Sequence, residues 1–205
     1  GEVPLILCPN EESPIVICGQ GVAPNSATLK TFSDMNLNIV PGSGLLPAVV
    51  PGAFDAWMLL LHNYGTMSLR TVLEPAISIA TKGYPLVPNI INTIKSVEEL
   101  FKTEWTSSAE IYLPKGVLPS IGDFFTNKNM AKTYLRIIDE AENKSKDREE
   151  QIKHARLIWS QGFVAQEIED FCKNNEFMDT TEKRHKGLLT GDDLANWSAT
   201  IEKPL

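Results

Sequence analysis

The spacing of helix breakers between Leu46 and Pro88 constrains this 205-residue chain more than any other feature. Pro51 suits a helix start, where its missing N–H falls among donors left unpaired anyway. Helix then fits Ala53 to Tyr64. Ala53, Phe54, Trp57, Leu60, Leu61 and Tyr64 recur at the i, i+3, i+4, i+7 spacing of a broad buried stripe. Gly65 ends that helix and Ser68 caps the next. Leu69, Val72, Leu73, Ala76, Ile77 and Ala80 line its buried face, and Gly83 with Pro85 stops it. Glu74-Pro75 inside the second helix predicts a kink or a tightened first turn.

Around this pair the pattern is mostly helical. Val3 to Leu7 and Ile15 to Cys18 are short apolar runs about the turn-rich Pro9-Asn10-Glu11-Glu12-Ser13-Pro14, which reads as a hairpin. Two strands do not make a stable sheet, so they require partners. Asn25 or Ser26 caps a short helix to Met35, and Asn36 to Pro51 is a Gly/Pro-rich loop that is either a connector or the border of a site. Further helices are expected over Asn89–Lys102, Asn127–Asn143, Asp147–Ser160 and Gly162–Asn174. Trp105–Thr126 reads as a long irregular arm, Thr180–Gly187 as an exposed loop, and Trp197–Ile201 as one more strand. The mixed charges from Asp139 to Arg156 recur at i, i+3 and i+4, as on a solvated helix face or a partner surface.

Composition excludes several classes. At 42% hydrophobic and 22% charged the chain is neither disordered nor membrane-like, and no apolar run reaches bilayer-spanning length. A net charge of −7 argues against electrostatic binding of nucleic acid. Cys8, Cys18 and Cys172 lack metal-ligand spacing. Cys8 and Cys18 either face each other on paired strands or, like Cys172, remain buried inert thiols. His62, His154 and His185 are scattered and read as helix-surface or loop histidines. Asp192 and Asp193 are acids placed near a helix N-terminus, where the dipole favours them; adjacent carboxylates point different ways and suit no metal. Gly42-Ser43-Gly44 is too short for a phosphate loop. No cofactor and no metal are expected. Gly1 opens no signal-peptide pattern, and because the chain does not begin at a start Met, an upstream segment is compatible with it.

Several motifs, in order, resemble the large subunit of the gamma-glutamyltranspeptidase family. Val50-Pro51-Gly52 with Trp57, Tyr64-Gly65-Thr66, and Pro75-Ala76-Ile77 with Ala80, Gly83, Tyr84, Pro85 and Pro88 form the first group. Trp159-Ser160-Gln161-Gly162 with Val164, Ala165 and Ile168 is similar to the family's aromatic-x-G-x-(I/V)-A segment. Leu189-Thr190 with Asp192-Asp193-Leu194-Ala195 and Trp197 is similar to its LT-x-x-DLA segment. The matches span roughly residues 15 to 205.

The resemblance implies an α+β fold, mainly helical in this chain, forming part of an αββα N-terminal nucleophile hydrolase whose remaining strands and small subunit are absent. It implies residues 1–205 as one helix-rich large-subunit portion, a γ-glutamyl or related amide substrate, and as partner the small subunit of the same self-processing precursor. In that family the nucleophile is a Thr whose own amine serves as base, and it lies beyond the point matching Leu205. Thr28, Thr31, Thr66, Thr71, Thr190 and Thr200 therefore keep cap or turn roles. The family holds the donor's α-carboxylate with an arginine in a D-G-R-E-T-A-P segment, matched here by Cys18-Gly19-Gln20-Gly21-Val22-Ala23-Pro24. Gln20 replaces the arginine and Gly21 the glutamate, so the bidentate charged clamp is absent. Gln20 and Gly21 are the candidate substrate-side residues, with Gln20 able to donate to a neutral or peptide-like acyl group; otherwise Gln20 serves a turn. Three readings follow: an acyl-transfer enzyme of this type, a catalytically silent binding or scaffold relative, or an acylase with a different specificity such as a cephalosporin-type amide.

Overall fold

The computed structural model describes residues 2–9 and 13–204. In chain order it contains β1 (Val3–Leu7), β2 (Ile15–Gly19), α1 (Leu29–Asp34), α2 (Ala53–Tyr64), α3 (Leu69–Lys82), β3 (Tyr84–Pro85), α4 (Pro88–Ser96), α5 (Glu98–Thr103) and α6 (Thr106–Tyr112). A 3-10 turn at Pro114–Gly116 follows, then β4 (Phe124–Phe125), α7 (Lys128–Lys144), α8 (Arg148–Gln161), α9 (Phe163–Asn174), β5 (Phe177–Met178), β6 (Arg184–His185), α10 (Gly191–Ala195) and β7 (Thr200–Glu202). The chain is α+β and mainly helical. It forms two compact units, residues 1–69 with 137–205, and residues 70–136.

In the first unit β2 is the centre of a three-stranded antiparallel sheet, flanked by β1 and β7. The register sets Val3 opposite Gly19 and Leu7 opposite Ile15, and on the other side Cys18 opposite Thr200. The expected hairpin pair is present, and the strand expected near Trp197–Ile201 supplies its missing neighbour. Asn10, Glu11 and Glu12 of the expected turn lie outside the described residues. Ile17, Ala56 and Ala199 make the buried contact between sheet and helix, with Val3, Leu5, Leu59, Leu60 and Trp197 packed around them. A second cluster joins Val50, Ala165, Cys172, Leu189 and Leu194, again with Trp197 against it.

Helix α2 has the predicted bounds but a different buried face. Ala53, Phe54, Asp55, Ala56, Met58 and Leu61 are buried, whereas Trp57 and Tyr64 are each 42% exposed. The reason is that α2 packs both on β2 and on α8, so its N-terminal half is enclosed nearly all round and Trp57 takes the remaining face. Phe54 stacks on Trp159 of α8 at 4.6 Å between centroids, and Trp159 Nε1 donates to the Pro51 carbonyl at 3.2 Å.

The most important correction concerns the charged run from Asp139 to Arg156, because two of its arginines are structural. Arg156 Nε and Nη2 donate to Asp55 Oδ1 and Oδ2 at 2.6 and 2.9 Å, and Asp55 Oδ2 also accepts the Ala199 N–H at 2.8 Å. Arg148 donates to the Leu61, Gly65 and Met67 carbonyls at 2.6, 2.7 and 2.8 Å. Of these, Leu61 lies in the last turn of α2, where its carbonyl also accepts the Gly65 N–H at 3.1 Å, and Gly65 and Met67 lie in the turn beyond the helix. Gly65 ends α2 in an extended rather than left-handed conformation, with this guanidinium holding the turn. Asp147, as expected, begins α8, its side chain accepting the Glu150 N–H.

Other boundaries shift for local reasons. Thr28, not Asn25 or Ser26, caps α1 by accepting from the Thr31 N–H. Thr180–Gly187 is not a simple exposed loop, since β5 and β6 pair across it with Phe177 opposite His185. Cys8 lies beyond β1 and is exposed, far along the register from Cys18, which faces Pro4; all three cysteines are free.

In the second unit, α3 runs through Pro75, with Leu73 and Ile77 buried and Val72 and Ala76 exposed. Gly83 has φ +89°, and a Cβ there would fall 2.9 Å from the Phe125 carbonyl, so the turn into the β3–β4 pair depends on glycine. The single helix expected over Asn89–Lys102 is divided at Val97 into α4 and α5, and the expected irregular arm contains α6, the 3-10 turn and β4. The arm is organised by aromatic stacking: Tyr112 lies 5.7 Å from Phe101 and 5.6 Å from Phe125. No helix among the described residues is long and apolar enough to cross a membrane.

Removing one partner of the Asp55–Arg156 pair leaves the other charge largely buried and unmatched. Asp55→Asn is therefore expected to destabilise the protein by about 3 kcal/mol, read as a lower midpoint in urea unfolding. An unchanged midpoint would show that the pair contributes nothing to the fold.

Candidate functional site

The residues singled out by sequence lie on the stretch leaving β2, Gly19 to Ser26, which is anchored from both sides. On one side the Val50 N–H donates to the Val22 carbonyl at 3.0 Å. On the other, the Asn25 N–H donates to Asp193 Oδ1 at 2.9 Å and Ser26 Oγ to the Leu188 carbonyl at 3.1 Å. Pro24 is buried between these anchors. Gln20 is exposed, and its side chain has no hydrogen-bond partner among the described residues, so it is not a turn-stabilising group. Gly21 is half-buried against the loop before α2: a Cβ added there would fall 1.7 Å from the Val50 carbonyl oxygen. Only a residue without Cβ permits this approach.

The neighbouring motifs meet at this stretch. A Cβ on Gly52 would fall 2.3 Å from Trp197 Cη2 and 2.6 Å from the Gly19 carbonyl oxygen, so the V-P-G loop is wedged between the indole and the end of β2. Trp197 is in turn placed by the Ala199–Asp55 bond two residues on. Asp193 closes a capping box with Thr190, accepting its N–H at 3.0 Å and its Oγ1 at 2.8 Å, while its other oxygen holds Asn25. The acid read from sequence as a favourable helix-start residue thus also fixes the candidate stretch. That second role is a contact across 168 positions and carries no local sequence signal.

A second polar cluster surrounds Asp179, which is buried. Its Oδ1 accepts the Thr181 N–H and Oγ1–H at 2.8 and 2.6 Å, and its Oδ2 lies 2.7 Å from His185 Nδ1. Burial pushes this carboxyl up, but the bonds from Thr181 and His185 outweigh it and hold it below the usual carboxylate range. Gly44, at φ +83°, packs on the Asp179 Cβ, and the Gly42 N–H donates to Thr180 Oγ1 at 3.0 Å. The Gly42–Gly44 segment is thereby an anchored connector in the first unit. No nucleophile is bonded to His185 among the described residues, and the cluster orders a turn. Cys172 is likewise unsuited to nucleophilic chemistry: burial pushes its thiol up, only partly offset by a bond from the Leu189 backbone. His62 Nδ1 lies 2.7 Å from Asn63 Oδ1, and its Nε2 is buried without a hydrogen-bond partner among the described residues.

In the second unit a cavity of about 540 Å³ is lined by Leu86, Glu110, Pro119, Asp123, Phe125 and Lys128, among others. None of the residues expected to bind substrate contributes to it. Among the described residues, no group of three or more His, Cys, Asp or Glu side chains is arranged to hold a metal ion.

The gamma-glutamyltranspeptidase family model matches residues 1–205. The chain is 28% identical over 187 residues to the glutathione hydrolase proenzyme of Bacillus subtilis (strain 168), a match covering 89% of this chain and 27% of that protein. The solved structure of LmbA2991HD is 46% identical with a TM-score of 0.96, covering 100% of this chain and 35% of that one. The Helicobacter pylori gamma-glutamyltranspeptidase structure is 26% identical with a TM-score of 0.79, covering 100% of this chain and 53% of that one. The chain thus spans about a quarter of the curated relative and between a third and just over a half of the solved ones. Its mainly helical fold is a portion of the N-terminal nucleophile hydrolase fold.

Two outcomes follow from the geometry. Gly21→Ala is expected to destabilise the protein by about 2 kcal/mol through overpacking against Val50, whereas Gly42→Ala, whose Cβ meets nothing nearer than 3.9 Å, changes stability little; equal unfolding midpoints would refute the close approach. Because the folded Asp179 carboxyl lies below its free value of 3.8, its contribution is fully present above about pH 4 and is lost as pH falls through the folded pKa. Amide exchange at Thr181 should accelerate over that acid window, and Asp179→Asn should abolish the pH step.

Proposed function

Because the chain belongs to the gamma-glutamyltranspeptidase family, we propose that it is the large-subunit portion of an enzyme that hydrolyses amides or transfers their acyl groups, the donors being γ-glutamyl or related acyl compounds. One observation supports this reading above the others. Four of the family-like segments, at residues 18–24, 50–52, 159–168 and 189–197, meet around the stretch leaving β2, with Gln20 exposed at its surface. Gln20 and Gly21 are its substrate-side residues: Gln20 offers an amide donor and acceptor, and Gly21 lets the backbone of residues 20–22 lie close against Val50.

The chemistry on this reading is acyl transfer through a threonine of the small subunit formed from the same precursor. The threonine hydroxyl attacks the scissile carbonyl, its own α-amine takes the proton, and the amine of the substrate departs carrying that proton. Water or an acceptor amine then attacks the resulting ester and releases the acyl group. This chain's part is to bind and orient the donor. The Asp55–Arg156 pair and the Asp193 cap keep the binding stretch in place through Ala199 and Asn25.

The replacement of the family's arginine by Gln20 favours two other readings, a catalytically silent binding relative and an acylase of different specificity. Expression of the complete gene, followed by intact mass measurement and N-terminal sequencing, separates the first of these. The expected result is two chains, the smaller beginning with Thr. An unsplit product would overturn the enzyme reading and leave a helical binding module.

A further inference from the structure

We propose that the acyl donor of this protein carries an uncharged hydrogen-bonding group, such as a carboxamide, where a γ-glutamyl donor carries its α-carboxylate. The inference rests on the reading above, that the stretch Gly19–Ser26 faces the donor. The residues brought against that stretch by hydrogen bonds or close backbone approach are Val3, Val50, Ala56, Leu188 and Asp193, with Trp197 reaching it through Gly52. The single charged side chain among them is the Asp193 carboxylate, an acid and not a cation that could pair with a donor carboxylate.

The cation nearest the stretch in sequence and the two arginines of α8 named above are held by other partners. Between Ser13 and Phe54 the only charged residues are Lys30 and Asp34, and they pair with each other at 2.6 Å. On α8, Arg156 is held in both directions by Asp55, and Arg148 is fixed by three backbone carbonyls. Swinging either guanidinium toward a ligand would strip the buried Asp55 carboxylate, or the turn after α2, of its donors. A donor carboxylate placed at Gln20 would leave water for an amide partner, with no cation among the described residues brought against this stretch, whereas a carboxamide exchanges two neutral hydrogen bonds with the glutamine without that desolvation penalty. Gly21 adds to the argument. Its closeness to the Val50 carbonyl excludes an acidic side chain at that position without a backbone shift, so this backbone does not accommodate the adjacent Arg-Glu of the family's segment.

The test compares two donors on the complete processed protein, γ-glutamyl-p-nitroanilide and its α-carboxamide analogue. The expected result is a kcat/KM at least tenfold higher for the carboxamide. Gln20→Arg should move the ratio toward the carboxylate by about 10- to 100-fold, chiefly through KM, since the group is remote from the reacting bond. Equal rates, or a preference of the unsubstituted protein for the carboxylate, would overturn the proposal. If the protein cleaves neither anilide, the acyl-transfer reading fails instead, and calorimetric binding of the same two compounds decides the charge inference alone. Tighter binding of the carboxamide supports it; equal, reversed or undetectable binding overturns it.

Discussion

The rest of the first unit depends on one carboxylate, that of Asp55. It sits in the first turn of α2, where the helix dipole favours an acid, and accepts two bonds from Arg156 and one from the Ala199 N–H. These partners lie 101 and 144 positions away, so a single side chain registers α8 on α2 and brings the approach to β7 onto β2. Such a pair need not add much net stability, because taking two charges out of water offsets most of their attraction. What it supplies is discrimination: a slip of α8 by one residue leaves the carboxylate unmatched, and the alternative packing becomes costly.

The consequences reach the candidate site through ordinary contacts. Fixing Ala199 fixes Trp197 two residues earlier, the indole leaves room only for a glycine at position 52, and Gly52 in turn packs on the Gly19 carbonyl from which the Gln20 stretch departs. From the other direction Asp193 uses one oxygen for its own helix cap and the other for Asn25. The motifs at residues 50–52, 159–168 and 189–197, separate along the sequence, are therefore faces of one assembly. Trp159 is bonded to Pro51, Trp197 packs on Gly52, and Asp193 reaches the stretch that Val50 holds from the opposite side.

How much of this was legible follows from which forces act locally. Pro51, Gly65, Gly83 and the 3.6-residue periodicity define α2 and α3 without any tertiary information, and the ends of α7, α8 and α9 fall within a residue or so of the expected bounds. Periodicity assigns a face but not its partner. It placed Trp57 inside and gave no reason to bury Asp55, because an acid enclosed by an arginine a hundred residues away looks identical in sequence to one in water. The same blindness made Arg148 and Arg156 look solvated. The β3–β4 and β5–β6 pairs, two residues per strand, are too short for alternation to register and are set by the Gly83 turn and the Asp179 cluster. The Gln20 segment was found through resemblance; its anchoring by Val50 and Asp193 was not legible.

The two departures at positions 20 and 21 are physically different. Gly21 is bound to its surroundings: the Val50 carbonyl occupies the space a Cβ would need, so this position is settled by packing and its contribution to any ligand is one of backbone placement. Gln20 is under no such constraint, being exposed and without a hydrogen-bond partner among the described residues. An exposed residue without such a partner can change at little cost to the fold, and its chemistry is then free to follow the ligand. The close approach at Gly21 holds the backbone, and the choice of what that backbone recognises rests on the side chain beside it.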